Sequence, residues 1–190
     1  MAVQTRIFPL ALAVGCLATV AVPVVVYAQS NPGFTFNWGD GPSGKQQLRY
    51  YLEYGTPGFM NDRYWLRLGK QNVAINRINI TYPDYFDGHF NAKSIELRTG
   101  GTSNNSLFSL RRDPGEVMPL AEATVDQDNR VIDIIPAEPI PAGKDVQVVI
   151  SNVRNPQVGG MYYFNARIGS PGDIPLMRYI GTWILSIARN

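Results

Sequence analysis

Residues 48–54 read Leu48-Arg49-Tyr50-Tyr51-Leu52-Glu53-Tyr54, with Leu48, Tyr50, Leu52 and Tyr54 on one parity and Arg49, Tyr51 and Glu53 on the other. A period of two sends alternate side chains to opposite faces of an extended chain, so this stretch predicts a half-buried strand. The same alternation returns at Tyr64–Leu68, Ile78–Tyr82 and Ile95–Leu97, with Arg67, Asn79, Thr81 and Glu96 on the polar parity. Further along, Val131–Ile135, Val146–Ser151, Met161–Ile168 and Thr182–Ala188 are rich in the β-branched and aromatic side chains that suit a pleated surface.

Turn chemistry separates these runs, at Thr56-Pro57-Gly58, Pro83-Asp84, Asp128-Asn129, Asn155-Pro156, Gly159-Gly160 and Ser170-Pro171-Gly172. Helical spacing rarely escapes a glycine or proline; Glu116–Ala123 predicts one helical turn and Asp84–Phe90 another. About eight short strands at this spacing predict an all-β, immunoglobulin-like antiparallel β-sandwich, with a small β-barrel as the alternative. Asn155-Pro156 starts a turn and Gly159-Gly160 permits positive φ, so the Val146 and Met161 strands are expected to form a connected antiparallel pair.

The N-terminus differs from all of this. Arg6 precedes an almost unbroken apolar run from Ile7 to Val26, and no charge follows until Asp40. Two readings compete, a cleaved signal peptide and a retained membrane anchor; Pro23 and the small residue at Ala28 favour cleavage after Ala28. Ala13-Val14-Gly15-Cys16 fits a lipoprotein signal less well, because Ala13 stands where leucine is usual. The expected organisation is a signal peptide at 1–28, an extended leader at 29–47 and one β-sandwich domain at 48–190. The destination is the periplasm, the thylakoid lumen or the outside of the cell.

Composition narrows the function. The chain of 190 residues is 45% apolar and 17% charged, too hydrophobic for disorder. Its single cysteine, Cys16, goes with the signal peptide, so no disulfide holds the domain. A formal net charge of +2 gives no electrostatic ground for nucleic acid.

Catalytic chemistry finds little footing. A serine triad needs a histidine base, and His89 is the only histidine; no Gly-x-Ser-x-Gly elbow accompanies it. Asp84, Asp87 and His89 are close enough in sequence to gather round one ion, and Asp126, Asp128 and Asn129 offer oxygen ligands. Acidic turn residues ordinarily bond their own backbone, so no metal and no cofactor is expected, with calcium as the open alternative. Glutamates and aspartates are scattered without a spacing that singles out a hydrolytic pair.

Aromatic residues are more informative. Tyr50-Tyr51 and Tyr162-Tyr163 must split between two faces if they lie in strands. Outward rings such as Tyr51 and Trp65 either cover the second sheet face by pairing across strands or offer a stacking surface to a sugar or a protein. Loops on a rigid sandwich are the usual place for binding. The candidate surfaces are therefore the Asp84–His89 loop (Asp84, Asp87, His89), the Asn155–Gly160 turn (Asn155, Gly159, Gly160), the Phe34–Trp38 leader (Phe34, Trp38) and the outward pair Tyr51 and Trp65.

The C-terminal half carries a cadence: Pro139 to Lys144 leading into Val146–Ile150, then Val153-Arg154-Asn155-Pro156, Gly159 to Phe164 and Tyr179 to Thr182, with Ile80 to Pro83 upstream. In this order the motifs resemble domain-of-unknown-function family 2808, a family of exported cyanobacterial proteins, over about residues 60–188. The resemblance implies export and one β-rich domain of this size. It carries no assigned activity or catalytic residues, and it implies that the Phe34–Trp38 leader is peculiar to this chain.

The resulting expectation is a non-enzymatic exported sandwich that binds another envelope or membrane-complex protein. A carbohydrate-binding module taking polysaccharide and a carboxylate-dependent hydrolase are the rivals.

Overall fold

The computed structural model describes residues 46–100, 115–172 and 176–188. Ten strands are described: β1 (Tyr50–Leu52), β2 (Asp62–Lys70), β3 (Arg77–Thr81), β4 (Ile95–Thr99), β5 (Glu116–Met118), β6 (Leu120–Asp126), β7 (Val131–Pro136), β8 (Asp145–Val153), β9 (Gly160–Gly169) and β10 (Met177–Ile187). They form two open five-stranded sheets, ordered β1-β2-β8-β4-β5 and β10-β9-β3-β7-β6. Every ladder between named strands is antiparallel. Neither sheet closes on itself, so the fold is the immunoglobulin-like β-sandwich and the barrel alternative falls.

Period two is what builds the core. Tyr64, Leu66 and Leu68 of β2 meet Val146, Val148 and Ile150 of β8 on the inner face of the first sheet. Ile78 and Ile80, Ile132 and Ile134, and Phe164, Ala166 and Ile168 supply the second. These side chains are all buried, and burying each branched or aromatic side chain is worth about 1.5–3 kcal/mol. Trp183 is wholly buried, and its indole Nε1 donates to the Arg67 carbonyl at 3.0 Å, so its polar atom is satisfied across the two sheets.

Several expectations are corrected. The run 48–54 is strand only over Tyr50–Leu52. Gln47 instead pairs in parallel with Thr182 of β10, and Leu48 N donates to the Thr182 carbonyl at 2.9 Å before the chain crosses to β1. Gly181 lies against this stitch at φ +155, and a Cβ there would meet Leu48 Cγ at 2.8 Å. The helical turn expected at Glu116–Ala123 is two strands, β5 on the first sheet and β6 on the second, divided at Pro119. Pro119 has no N–H for a ladder and stands where the chain changes sheet.

Asp84–Phe90 is likewise a non-helical loop; the helical turn in this connection is the short 3-10 piece Ala92–Ser94. β8 and β9 are consecutive yet lie in different sheets, so the Val146 and Met161 strands do not pair. The Asn155–Gly160 turn is an arch between layers rather than a hairpin. Within it, positive φ belongs to neither Gly159 nor Gly160; Asn152 at φ 53 makes the left-handed step just upstream.

Candidate functional site

The Asp84–His89 loop is held by the aromatic residues inside it. Phe86 and Phe90 are buried, and their rings stack 5.1 Å apart. Tyr82 and Phe164 stack at 5.6 Å, and Phe86 meets Phe164 edge-on at 5.2 Å. Tyr64 and Tyr162 complete the cluster at 6.1 Å from Phe90 and 5.2 Å from Phe86. Such pairs add about 0.5–1.5 kcal/mol each beyond the area they bury, so one end of the sandwich is closed by a rigid aromatic plug. Gly88 passes so close that a Cβ would lie 2.6 Å from the Arg154 carbonyl oxygen. The short backbone approach, not a turn, requires glycine there.

That approach brings two of the predicted surfaces together. His89 and Arg154 exchange backbone bonds, His89 N to Arg154 O at 2.9 Å and Arg154 N to His89 O at 3.1 Å. Gln157 N donates to Asp87 Oδ1 at 3.1 Å. His89 Nδ1 lies 2.5 Å from the Gln127 side-chain amide, which links the loop to the β6–β7 hairpin. In that hairpin Asp126 accepts from Asn129 N at 2.9 Å and from Asn129 Nδ2 at 2.7 Å, so its carboxylate is spent on the turn. Among the described residues no group of three His, Cys, Asp or Glu is placed to hold a metal ion.

Below the Asn155–Gly160 arch lies a buried polar knot. Asp62 is wholly buried; it accepts from Tyr54 N at 3.0 Å, Gly55 N at 2.8 Å, Arg63 N at 2.7 Å and Asn155 Nδ2 at 2.7 Å. Asn155 Nδ2 also donates to the Thr56 carbonyl at 2.8 Å, while its Oδ1 accepts from Tyr64 Oη at 2.6 Å. An unpartnered carboxylate at this depth would be strongly unfavourable; four N–H donors replace its water. Burial raises the Tyr64 phenol far above the ordinary tyrosine value, and the negative charge of Asp62 adds to the effect. The knot fixes the β1–β2 loop to the arch, helped by Gly58 N to Pro156 O at 2.9 Å and Asn155 N to Phe59 O at 2.8 Å. Gly159 packs against the end of β10, where a Cβ would stand 3.0 Å from the Ile187 carbonyl oxygen.

Three loops thus form one platform, and several large apolar side chains stand exposed on it among polar ones. Exposed there are Tyr54 (50%), Met60 (60%), Tyr85 (51%), Val158 (70%) and Met161 (59%), most of the large exposed hydrophobic residues described. Tyr85 leans on Tyr162 at 5.5 Å, and Tyr54 on Phe59 at 4.2 Å. Asp84 and Asp87 are exposed at the rim, with Arg154 beside them. Asn155 is a framework residue below this surface, and Gly159 and Gly160 shape its backbone. The apolar side chains themselves escape a reading by turn chemistry; the available signal is the presence of Met60, Val158 and Met161 beside turns where polar residues are usual.

Tyr51 and Trp65 lie elsewhere, on the outer face of the first sheet. They are directly opposite each other on β1 and β2, with rings 5.1 Å apart, and Arg63 sits 5.6 Å over the indole. Trp65 is only 5% exposed, so the pair covers its own sheet face and offers no open indole to stack a sugar on. Tyr162 is buried, with Oη donating to the Val158 carbonyl at 2.6 Å, and Tyr163 takes the outer parity. Phe34 and Trp38 lie outside the described residues.

Fold and surface together define an all-β, immunoglobulin-like sandwich with a loop-built end. The chain belongs to the family described as protein of unknown function (DUF2808), whose family model matches residues 24–187. The matched range takes in Phe34–Trp38. No curated protein matches the chain. Among solved structures, the collagen-binding domain from a Staphylococcus aureus adhesin is 14% identical with a TM-score of 0.38, over 75% of this chain and 97% of that one. A Nocardia farcinica protein with an immunoglobulin-like fold is 9% identical with a TM-score of 0.34, over 74% and 99%. Likeness of this degree carries no argument about what the chain binds.

Proposed function

We propose that this chain is an exported, non-enzymatic binding protein that joins an envelope or membrane-associated assembly through its loop-built end. Export rests on the apolar run from Ile7 to Val26 and the cleavage site after Ala28, which leaves the domain in the periplasm, the thylakoid lumen or the medium. The observation that carries the binding reading is the concentration of Tyr54, Met60, Tyr85, Val158 and Met161 on one end of the sandwich. Scattered exposed hydrophobic residues need no explanation, whereas several gathered on loops that meet mark an interaction site. Their base is rigid, so little conformational entropy is lost when a partner orders them. The partner class is protein: large, amphipathic Tyr and Met side chains suit an interface centre with a polar rim such as Asp84, Asp87 and Arg154.

The test is affinity purification from the native host with wild type and a Tyr85→Ser/Val158→Ser variant, comparing partners recovered and melting temperature. The reading expects a defined partner that is lost in the variant while the melting temperature stays within about 2 °C, since both positions are exposed. Recovery of the same partner by the variant would exclude this end as the interface. Polysaccharide retention lost with the same variant would replace protein by glycan as the partner.

A further inference from the structure

The outer face of the second sheet carries an arrangement of side chains that the loop end does not use. Along β10 alternation places Trp183, Leu185 and Ile187 inside, and carried back along the strand it would place Tyr179 inside with them. A bulge between Tyr179 and Gly181 breaks that register, so Tyr179 stands opposite Arg167 and Thr182 opposite Asn165 on the outer face. We infer that Asn79, Asn165, Arg167 and Tyr179 form a binding site for a carboxylate-bearing saccharide, a uronate unit of an acidic polysaccharide.

Three observations carry the inference. First, the re-aimed tyrosine completes a relay. Thr182 Oγ1 gives its one proton to Asn165 Oδ1 at 2.7 Å, so at 2.6 Å it accepts from Tyr179 Oη. The relay turns Asn165 Oδ1 toward Thr182 and leaves Nδ2 to donate elsewhere. It also tethers the Tyr179 ring, which stays 38% exposed. Side chains fixed in advance lose less freedom on binding. Second, a cation stands beside them uncommitted: Arg167 is exposed and forms no ion pair among the described residues. Tyr179, Arg167, Asn79 and Asp133 follow one another across β10, β9, β3 and β7 in a single register row. The carboxylate of that row is taken, because Asp133 Oδ1 accepts from Arg77 Nε and from Asn79 Nδ2, both at 3.0 Å. Third, the same bond fixes the Asn79 amide and keeps its Oδ1 as an acceptor next to Arg167.

That combination selects the ligand class. An unpaired guanidinium among fixed amide donors favours an anion, and its fork matches a carboxylate. The neighbouring groups ask for more than charge: Asn165 Nδ2 donates to a hydroxyl or ring oxygen, Asn79 Oδ1 accepts from a hydroxyl, and the Tyr179 ring offers an apolar surface to a pyranose. Asn165 and Arg167 are two residues apart in one strand, about 6.5–7 Å, a distance that one sugar ring and its carboxylate bridge. Inorganic phosphate would use the guanidinium and leave the amides and the ring idle. An acidic peptide brings carboxylates but no hydroxyls for Asn79.

The experiment is a ¹⁵N–¹H NMR titration of the full chain with tetragalacturonate and tetramannuronate. The methyl ester of tetragalacturonate serves as the neutral saccharide, inorganic phosphate as the simple anion and tetraglutamate as the acidic peptide. At least one uronate is expected to shift the Asn165 side-chain amide and Arg167 Nε signals saturably, and to bind more tightly than the other three probes. Arg167→Gln is expected to weaken it about ten-fold or more with the melting temperature unmoved, because the side chain is exposed. Lys70→Gln removes the same charge from the other sheet and is expected to leave the affinity within about two-fold. Overturning results are no shift of these signals with either uronate, binding of the ester, phosphate or tetraglutamate as tight as that of the uronates, or equal losses in Arg167→Gln and Lys70→Gln. Shifts confined to Tyr85 and Val158 would overturn it as well. The two surfaces share no residue, so the failure of one leaves the other standing.

Discussion

Replacing Asn155 by alanine tests the framework on which the loop end rests. The substitution removes three bonds at once: to Tyr64 Oη at 2.6 Å, to Asp62 Oδ2 at 2.7 Å and to the Thr56 carbonyl at 2.8 Å. Asp62 keeps its three backbone donors, but the Tyr64 hydroxyl is left buried without an acceptor. The charge-assisted bond is worth about 2 kcal/mol, the two neutral ones about 1 kcal/mol each, and the stranded hydroxyl adds about 1 kcal/mol or more. The sum is about 4–5 kcal/mol, which lowers the melting temperature of a domain this size by roughly 10–15 °C. Tyr64→Phe removes the donor and leaves Asn155 Oδ1 bare, at about 1–2 kcal/mol. In the double variant the two losses overlap, so the combined effect falls short of the sum by about 1–2 kcal/mol. Thermal unfolding followed by circular dichroism gives the energies, and hydrogen exchange at the Gly55, Gly58 and Asn155 amides locates them. A melting temperature within about 2 °C of wild type, or strict additivity of the two substitutions, would refute the knot as a determinant of loop geometry.

Other predictions concern the same end of the molecule. Because the Tyr64 phenol is held un-ionised by burial, its pKa is raised in the folded state, so the stability tied to it is intact below about pH 10 and lost above, by about 1.4 kcal/mol per pH unit. Denaturant midpoints measured from about pH 9 to about pH 11 should therefore fall in wild type and fall less in Tyr64→Phe; equal slopes would show that other groups govern alkaline unfolding. Gly88→Ala drives a Cβ to 2.6 Å from the Arg154 carbonyl oxygen, and a loss of about 2–3 kcal/mol is expected in chemical denaturation. Gly172→Ala, with nothing within 4 Å of the new methyl, is expected to change stability by less than about 0.5 kcal/mol, and comparable losses at both positions would discredit the steric argument. Phe86→Ala empties the centre of the aromatic plug and should cost about 3–5 kcal/mol while accelerating exchange at His89 and Arg154 first.

The strands were legible because alternation is a local property of the chain. Ile78 and Ile80 or Leu66 and Leu68 announce a buried face whatever lies opposite. Alternation does not name the neighbour, which is why β8 and β9 read as partners and proved to be in separate sheets. Pro119 was visible, but its role as the point of transfer between sheets depends on β4 and β7 waiting on either side. At the loop end, Asp84, Asp87, His89, Asn155 and Gly159 stood out as turn residues. Their meeting through the His89–Arg154 bridge is tertiary and left no local trace. Asp62 is the clearest loss: Asn61-Asp62-Arg63 reads as a polar surface triplet, yet Asp62 is wholly buried because four donors converge on it. Trp65 stands on the outward parity, as alternation requires, and is nonetheless covered by Tyr51 and Arg63.

Site-specific photocrosslinking in the native host addresses the central claim most directly. A photoreactive phenylalanine analogue is placed at Tyr85 or Val158 on the loop end, and at Glu122 on the β6 edge as the remote position. The account predicts that Tyr85 and Val158 trap the same protein and that Glu122 does not. A partner trapped equally from Glu122, or no protein adduct from either loop position, would contradict it.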